Sequence, residues 1–403
     1  MNTDIKKKGE AHTPGGHRQN LPLDNSLLII FGVTLTAVMG VSSITPAFPR
    51  IVQELSIPVR DIGLLITVFT IPGVFLTPVL GVFADRFGRK KILVPSLLLF
   101  GIAGGACGFV SNFDILLLFR FFQGIGAASL GSLNVTIIGD IYTGHERART
   151  MGYNASVLSI GTASYPAIGG ALALFGWNYP FLLPVVAVPL GFIVLWSLKN
   201  PEPEHDYRLR EYFIQTWRYI QKREIVGIFI ASSVTFIILY GSYITYFPLF
   251  IGHSYGSSPL TIGLIMSSAS ITTAITSSQL GKLVRVFSER SLLIMAFFLY
   301  AVSLVMIPLI PDLRWLAVPV ITFGIAQGIN IPSLQILLAG FAPMEYRAAF
   351  MSINGMVLRL GQTLGPLVMG IIFGIWGLAA PFYAGACISL VMTGVVILLI
   401  RAR

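Results

Sequence analysis

Charge is what this sequence has least of. Only 11% of its 403 residues are Asp, Glu, Lys or Arg, against roughly a quarter in an ordinary soluble domain. So few charges cannot coat a soluble protein of this length, and much of its apolar surface must face lipid. Cysteine is nearly absent: Cys107 and Cys387 both lie in apolar runs, so neither a disulfide framework nor a cysteine-based metal site is implied. The five histidines stay outside the apolar runs and form no ligand pair at helical spacing. The sequence shows no Ser/His/Asp set, metal cluster, phosphate loop or carboxylate pair at active-site spacing. An enzyme is therefore not expected, and neither is a cofactor. Residues 1–25 lack the apolar core and cleavage site of a removable signal. They read as a disordered cytoplasmic tail.

Apolar length is abundant. Hydrophobic residues make up 55% of the chain and the mean hydropathy is +0.80. A helix needs about 20 apolar residues to cross the hydrocarbon layer. Runs of that order recur at 27–49, 60–83, 91–110, 114–141, 150–175, 178–198, 225–251, 258–282, 291–310, 315–342, 348–375 and 378–400. The expectation is an all-α membrane protein of twelve transmembrane helices. It divides into a bundle over 26–198, a linker over 199–224 and a second bundle over 225–403. Of the 27 Lys and Arg, 22 fall in the tail, in the connections around 86–91, 147–149, 199–223, 282–290 and 347, or at the C-terminus. Arg50, Arg60 and Arg314 are the three on the other side. That asymmetry predicts cytoplasmic termini in a plasma (inner) membrane, and it explains the net charge of +10 without a nucleic-acid partner. In the linker, residues 207–223 interleave aromatic with basic residues. They suit either a helix lying at the interface or a solvated connection.

The halves repeat with an offset of about 200 residues. Ile62-Gly63-Leu64-Leu65 matches Ile262-Gly263-Leu264-Ile265, and Gly81 matches Gly281. Asn154, Leu158, Gly161, Pro166 and Gly170 match Asn354, Leu358, Gly361, Pro366 and Gly370. Gln123-Gly124-Ile125 finds Gln327-Gly328-Ile329 after a short adjustment. Six spans duplicated as parallel halves form a transporter layout, with the substrate near the midplane where the halves meet.

Between spans two and three runs Gly81-Val-Phe-Ala-Asp85-Arg86-Phe-Gly88-Arg89-Lys90-Lys91. Asp85 at the C-terminal end of a helix opposes the macrodipole and needs a cationic or N-terminal partner. This stretch resembles the loop signature G-x-x-x-D-R-x-G-R-K of the major facilitator superfamily, and within it the drug:proton antiporters of twelve helices. Arg120-Phe-Phe-Gln123-Gly124 resembles their span-four signature. Gly161-Thr-Ala-Ser-Tyr-Pro166-Ala-Ile-Gly169-Gly170 is similar to the antiporter signature of span five, and Pro46-Ala-Phe-Pro49 to the end of span one. The resemblance implies a conformational interlock of Gly81, Asp85, Arg86, Gly88 and Arg89, for which Asp140 is the acidic partner nominated. It implies a coupling role for Arg120, and a kinked, closely packed span five shaped by Gly161, Pro166, Gly169 and Gly170. Two departures stand out. Tyr165 replaces the middle glycine of the span-five signature, and Arg285 replaces the aspartate in the second copy of the loop.

Charges inside spans cost about 2.5–3.5 kcal/mol each on insertion scales. Arg120 is expected roughly 9 Å in from the outer face, and Arg359 roughly 13 Å in from the cytoplasmic one. Arg120, Gln123, Ala127 and Asn134 share one helical face, which reads as a cavity wall. Gln327 and Asn330 of span ten, with Arg359 and Gln362 of span eleven, offer an opposing wall. Tyr240, Tyr243 and Tyr246 offer an aromatic surface. Alternatively, Arg359 bonds helix carbonyls and ties spans together. No carboxylate lies mid-span, and buried arginines attract anions and repel cations. The expected function is export of a small amphipathic compound (neutral, zwitterionic or anionic) by alternating access and proton-coupled antiport, in a monomer. A lipid flippase or facilitated-diffusion carrier, and a non-transporting sensor, are the alternatives.

Overall fold

The computed structural model describes residues 25–198, 221–341 and 347–400. The expectations for the tail, for most of the linker and for its amphipathic helix lie outside these residues. Twelve long helical segments fill the described chain. They are α1 (Asn25–Glu54), α2 (Val59–Phe87), α3 (Arg89–Cys107), α4 (Phe113–Ile141), α5 (Gly144–Leu172) and α6 (Tyr179–Ser197) in the first half. The second half holds α7 (Arg223–Tyr255), α8 (Pro259–Leu283), α9 (Glu289–Leu309), α10 (Leu313–Phe341), α11 (Arg347–Trp376) and α12 (Ala380–Leu399). Eleven of them are apolar enough by composition to cross a bilayer. The other, α5, carries charges in its first turns and many Ser and Gly. At 29 residues it still reaches roughly 43 Å.

Each half packs in the same way. In the first, α2 and α3 pack on α4, α3 on α6 and α1 on α5. In the second, α8 and α9 pack on α10, α9 on α12 and α7 on α11. The halves meet where α2 crosses α11 and α5 crosses α8. At these crossings the sequence repeat becomes a repeat of contacts. A Cβ on Gly63 would meet Pro366 Cβ at 2.9 Å, and one on Gly263 would meet Pro166 O at 2.2 Å. Gly170 lies against Pro259 O and Gly370 against Arg60 O. Without a driving force of apolar burial between lipid-solvated helices, such close backbone approach and hydrogen bonding supply the association. The bonds run Thr67 Oγ1 to Thr363 O at 3.1 Å and Ala167 N to Ser267 Oγ at 3.2 Å. Thr70 and Thr363 hydroxyls meet at 2.8 Å.

All of these contacts sit toward one end of the molecule. At the other end, nothing lies within 4 Å of a Cβ on Gly81, Gly152, Gly281 or Gly355. One such glycine belongs to each of α2, α5, α8 and α11, so the halves part there. The opening faces the side that carries the Asp85–Arg89 turn.

The first helix of each half changes its winding before a Phe-Pro pair whose Phe is buried. In α1, a 3₁₀ turn at Thr45–Ala47 precedes Phe48-Pro49. In α7, a π-helical stretch over Ile238–Tyr246 precedes Phe247-Pro248. There Thr245 Oγ1 donates to Tyr240 O, five residues back, at 2.6 Å. Such local winding changes concentrate at functional positions.

Candidate functional site

The turn between α2 and α3 is a single residue. Gly88 ends one helix and starts the next at φ 105°, a backbone conformation that favours glycine. The charges expected on a loop therefore ride on helix ends: Asp85 and Arg86 in the last turn of α2, Arg89 in the first turn of α3. An anion at a C-terminus and a cation at an N-terminus each oppose the dipole, and here they satisfy one another. Arg89 is buried, donates to Asp85 across the turn, and its Nε donates to Asp140 Oδ2 of α4 at 3.0 Å. Arg86 is exposed and lies over the Phe87 ring. Gly81, one turn earlier, faces open space.

Arg120 and Arg359 are placed unlike one another. Arg120 is fully buried inside the first bundle. Its Nε donates to Leu65 O at 3.0 Å, and its Nη1 to Gly40 O at 2.8 Å and Gln123 Oε1 at 2.7 Å. Its guanidinium carbon lies 4.2 Å from the centre of the Phe69 ring. Gly40 belongs to the last turn of the regular α-helical part of α1, where carbonyls lose their intrahelical donors. One cation thus ties α1, α2 and α4 together. Carbonyl bonding, weighed for Arg359 from sequence, is what Arg120 does.

Two further residues of the expected cavity wall turn inward as well. Gln123 is buried where its amide fills the space beside Gly104 of α3. Asn134 is buried in a cluster with Thr34 of α1 and Asn154 of α5, donating to both. Helical spacing correctly put these side chains on one face. Which neighbour that face meets is a matter of packing, and it meets the bundle interior. In the second half, Asn330 is likewise fully buried, accepting from Thr235 Oγ1 at 2.9 Å. Tyr243 is enclosed between Phe247 and Phe323, with ring centres 4.8 and 4.2 Å away. Tyr246 is buried on Phe373, and its hydroxyl reaches Arg60 O at 3.4 Å.

Arg359, Gln362, Gln327 and Tyr240 remain half-buried. The helix begins at Arg347, so Arg359 is twelve residues, roughly 18 Å, along it. Around α11, Leu360, Leu364, Ile371 and Ile375 are exposed toward lipid. Arg359, Thr363, Pro366 and Gly370 face α2, while Gly361, Gly365 and Met369 face α7. Gln362 and Gly355 share the remaining strip, which looks into the opening. Arg359 itself lies against Gly73 of α2: a Cβ there would sit 3.2 Å from its Cδ and 3.3 Å from its Nε. No acceptor for its guanidinium is found among the described residues. The Tyr240 phenol is its electrostatic neighbour and stacks on Phe236 at 5.9 Å.

The span-five glycines are contact points. Gly161 faces Leu35 and Val38 of α1, and a Cβ on Gly169 would overlap Ser43 O at 1.8 Å. Pro166 and Gly170 face α8. Tyr165, the departure from the signature, is buried beside Gly161. Sequence reading passed over Thr34, Thr67, Thr70 and Gly73. The spacing of Thr67 and Thr70 was a signal, since i and i+3 share a helix face.

Two similar six-helix bundles, closed on each other at one end and parted at the other, define a membrane transporter. The chain matches the family model of the Major Facilitator Superfamily over residues 30–258 and 233–403 and belongs to that superfamily. It is 28% identical over 382 residues to Multidrug resistance protein 2 of Bacillus subtilis (strain 168), covering 91% of this chain and 93% of the relative. To Quinolone resistance protein NorA of Staphylococcus aureus (strain MRSA252) it is 23% identical over 390 residues, covering 94% and 97%. Among solved structures, a bacterial homolog of the human lysosomal transporter Spinster superposes with a TM-score of 0.77 at 18% identity, covering 93% of this chain and 94% of that one. The family makes the chain a transporter and not an enzyme.

Proposed function

We propose that this chain exports a small amphipathic compound (neutral, zwitterionic or anionic) from the cytoplasm by alternating access, in exchange for protons and as a monomer. The observation that carries the substrate class is Arg359, a half-buried cation at the seam between the halves with no acceptor among the described residues. Every carboxylate among the described residues stands within two residues of a span end or in a connection. Among the described residues Arg359 thus stands at the seam without a compensating anion, which disfavours cationic solutes. The multidrug and quinolone resistance proteins it resembles make export the favoured direction. The charge asymmetry of the connections supports cytoplasmic positions for the Asp85–Arg89 turn and both termini of a plasma-membrane protein, and in this reading the open end faces inward. Uphill export needs an energy source. The sequence lacks a phosphate loop for nucleotide hydrolysis, which leaves an ion gradient, and the proton gradient is the one proposed. In this reading Asp85, Arg89 and Asp140 hold the cytoplasmic ends of α2, α3 and α4 as one body while the halves rock.

The test is reconstitution in liposomes with an internal pH dye, adding neutral, anionic and cationic amphiphiles in turn. Proton movement triggered by neutral or anionic compounds, and weak with cations, is the expected result. A strong preference for quaternary cations refutes the substrate class. Solute flux without a pH signal refutes proton coupling, leaving facilitated diffusion or lipid flipping.

A further inference from the structure

We propose that Arg359 and the Phe236–Tyr240 ring pair form a recognition site for planar aromatic carboxylates that carry no ammonium group. The proposal rests on reading the seam as the transport pathway. Two arginines lie within the spans, and Arg120 is held by the protein's own acceptors at Nε and Nη1, with Nη2 buried beside them and unbonded. Arg120 has three acceptors and an aromatic face, and it is sealed from solvent. Arg359 has five donors, no acceptor among the described residues, and a half-open position at the seam. An unpaired cation at this depth is costly to keep, and the missing partner is an anion delivered from the open side.

The surroundings narrow the kind of anion. Gly73 lets the guanidinium lie against the backbone of α2, since a Cβ there would crowd its Cδ and Nε at 3.2 and 3.3 Å. A guanidinium presents paired donors in a plane and matches a carboxylate bidentately. On α7 the rings of Phe236 and Tyr240 stack 19° from parallel, and the Tyr240 phenol is near enough to Arg359 to interact with its charge. They are held near α11 because Gly361 admits the Phe236 side chain, a Cβ there lying 2.8 Å from that of Phe236. A flat aromatic ligand can cover such a face while its carboxylate meets Arg359, and Gln362 on the neighbouring strip supplies a further amide. Among the described residues the carboxylates stand at span ends or in connections, away from the middle of α11, and Arg359 repels an ammonium group. Selectivity then follows from repulsion as much as attraction. A zwitterion loses the advantage that a simple aromatic acid gains.

The probes are 2-naphthoate, 2-naphthamide, 2-naphthylmethylammonium and cyclohexanecarboxylate. Binding is measured by calorimetry on the full chain in lipid nanodiscs. Naphthoate is expected to bind at least tenfold more tightly than each of the other three. Arg359→Gln should bring naphthoate to the level of the amide, with thermal unfolding unchanged because Arg359 ties no spans together. Phe236→Leu should bring naphthoate close to cyclohexanecarboxylate. Gly73→Ala should weaken naphthoate several-fold and leave the amide unaffected. Equal binding of acid and ammonium overturns the proposal, as does a naphthoate preference that survives Arg359→Gln. Liposome flux separates the two readings. Proton-coupled movement of other amphiphiles with no naphthoate binding sinks the aromatic-acid site alone. Arg359-dependent naphthoate binding, with no solute moved, sinks the transport reading and leaves the site standing.

Discussion

Replacing Arg120 by alanine separates a clamp from a coupling residue. The substitution removes three hydrogen bonds and the ring contact. The two bonds to other helices contribute about 0.6–1.7 kcal/mol each and the one to Gln123 of the same helix about 0.5–1.5 kcal/mol, so the three amount to roughly 2–5 kcal/mol. A desolvated cation–π contact adds about 2 kcal/mol. Against this, the protein no longer carries a cation in the bilayer, which offsets about 2.5–3.5 kcal/mol. The expected outcome is a net destabilisation of about 1–4 kcal/mol, read as a lowered unfolding midpoint in detergent. Arg120→Lys should recover part of it, since one ammonium cannot reach all three acceptors with the fork geometry of a guanidinium. Transport by the alanine variant, corrected for folded protein, should remain, because no part of Arg120 is open to the pathway. A variant with the parent's midpoint but no transport would refute the clamp and restore the coupling role that the sequence resemblance implies.

Two more perturbations test the seam and the turn. Gly263→Ala places a Cβ 2.2 Å from Pro166 O, so α8 must retreat from α5 by roughly 1 Å to regain contact distance. A cost of about 1–3 kcal/mol in unfolding is expected, together with leakier closure of the sealed end to a maleimide probe; an unaltered midpoint and seal would contradict the contact geometry. Asp85→Asn and Asp140→Asn each remove one carboxylate from Arg89 while the other stays. Asp140 is partly exposed at 24%, so its loss should cost less than about 1 kcal/mol. The double variant, leaving Arg89 buried without a counter-charge, should exceed the sum of the singles in a thermal-unfolding cycle. Additive losses would mean that Arg89 does not join the two acids.

How far the sequence reached differs from element to element. Span positions were legible because bilayer thickness imposes a length that hydropathy records. Even α5, short of apolar residues, was visible through its glycine and proline pattern. The pairing of Gly63 with Pro366 and of Gly263 with Pro166 was implicit in the repeat, though the repeat alone does not say that matched residues touch opposite halves. The dipole argument asked for a cationic or N-terminal partner for Asp85, and Arg89 donates to it; Asp140, nominated through the family resemblance, accepts from the same guanidinium.

The inner face of α4 was different. Arg120, Gln123 and Asn134 are polar, and polarity in a span suggests a water-filled cavity. Yet a buried polar group is equally content with carbonyls, hydroxyls and amides of neighbouring helices. Only the positions of Gly40, Leu65, Thr34 and Asn154, 20 to 100 residues away in the chain, decided between these outcomes. The same holds for Arg359, whose partner position is a glycine on the other half. Local chemistry and membrane thickness act along the chain, so the sequence by itself determined the class, the span count and the repeat. Which faces seal, which open and which arginine is left unpaired depend on contacts between residues some 50 to 300 positions apart, and those were decided by the tertiary structure.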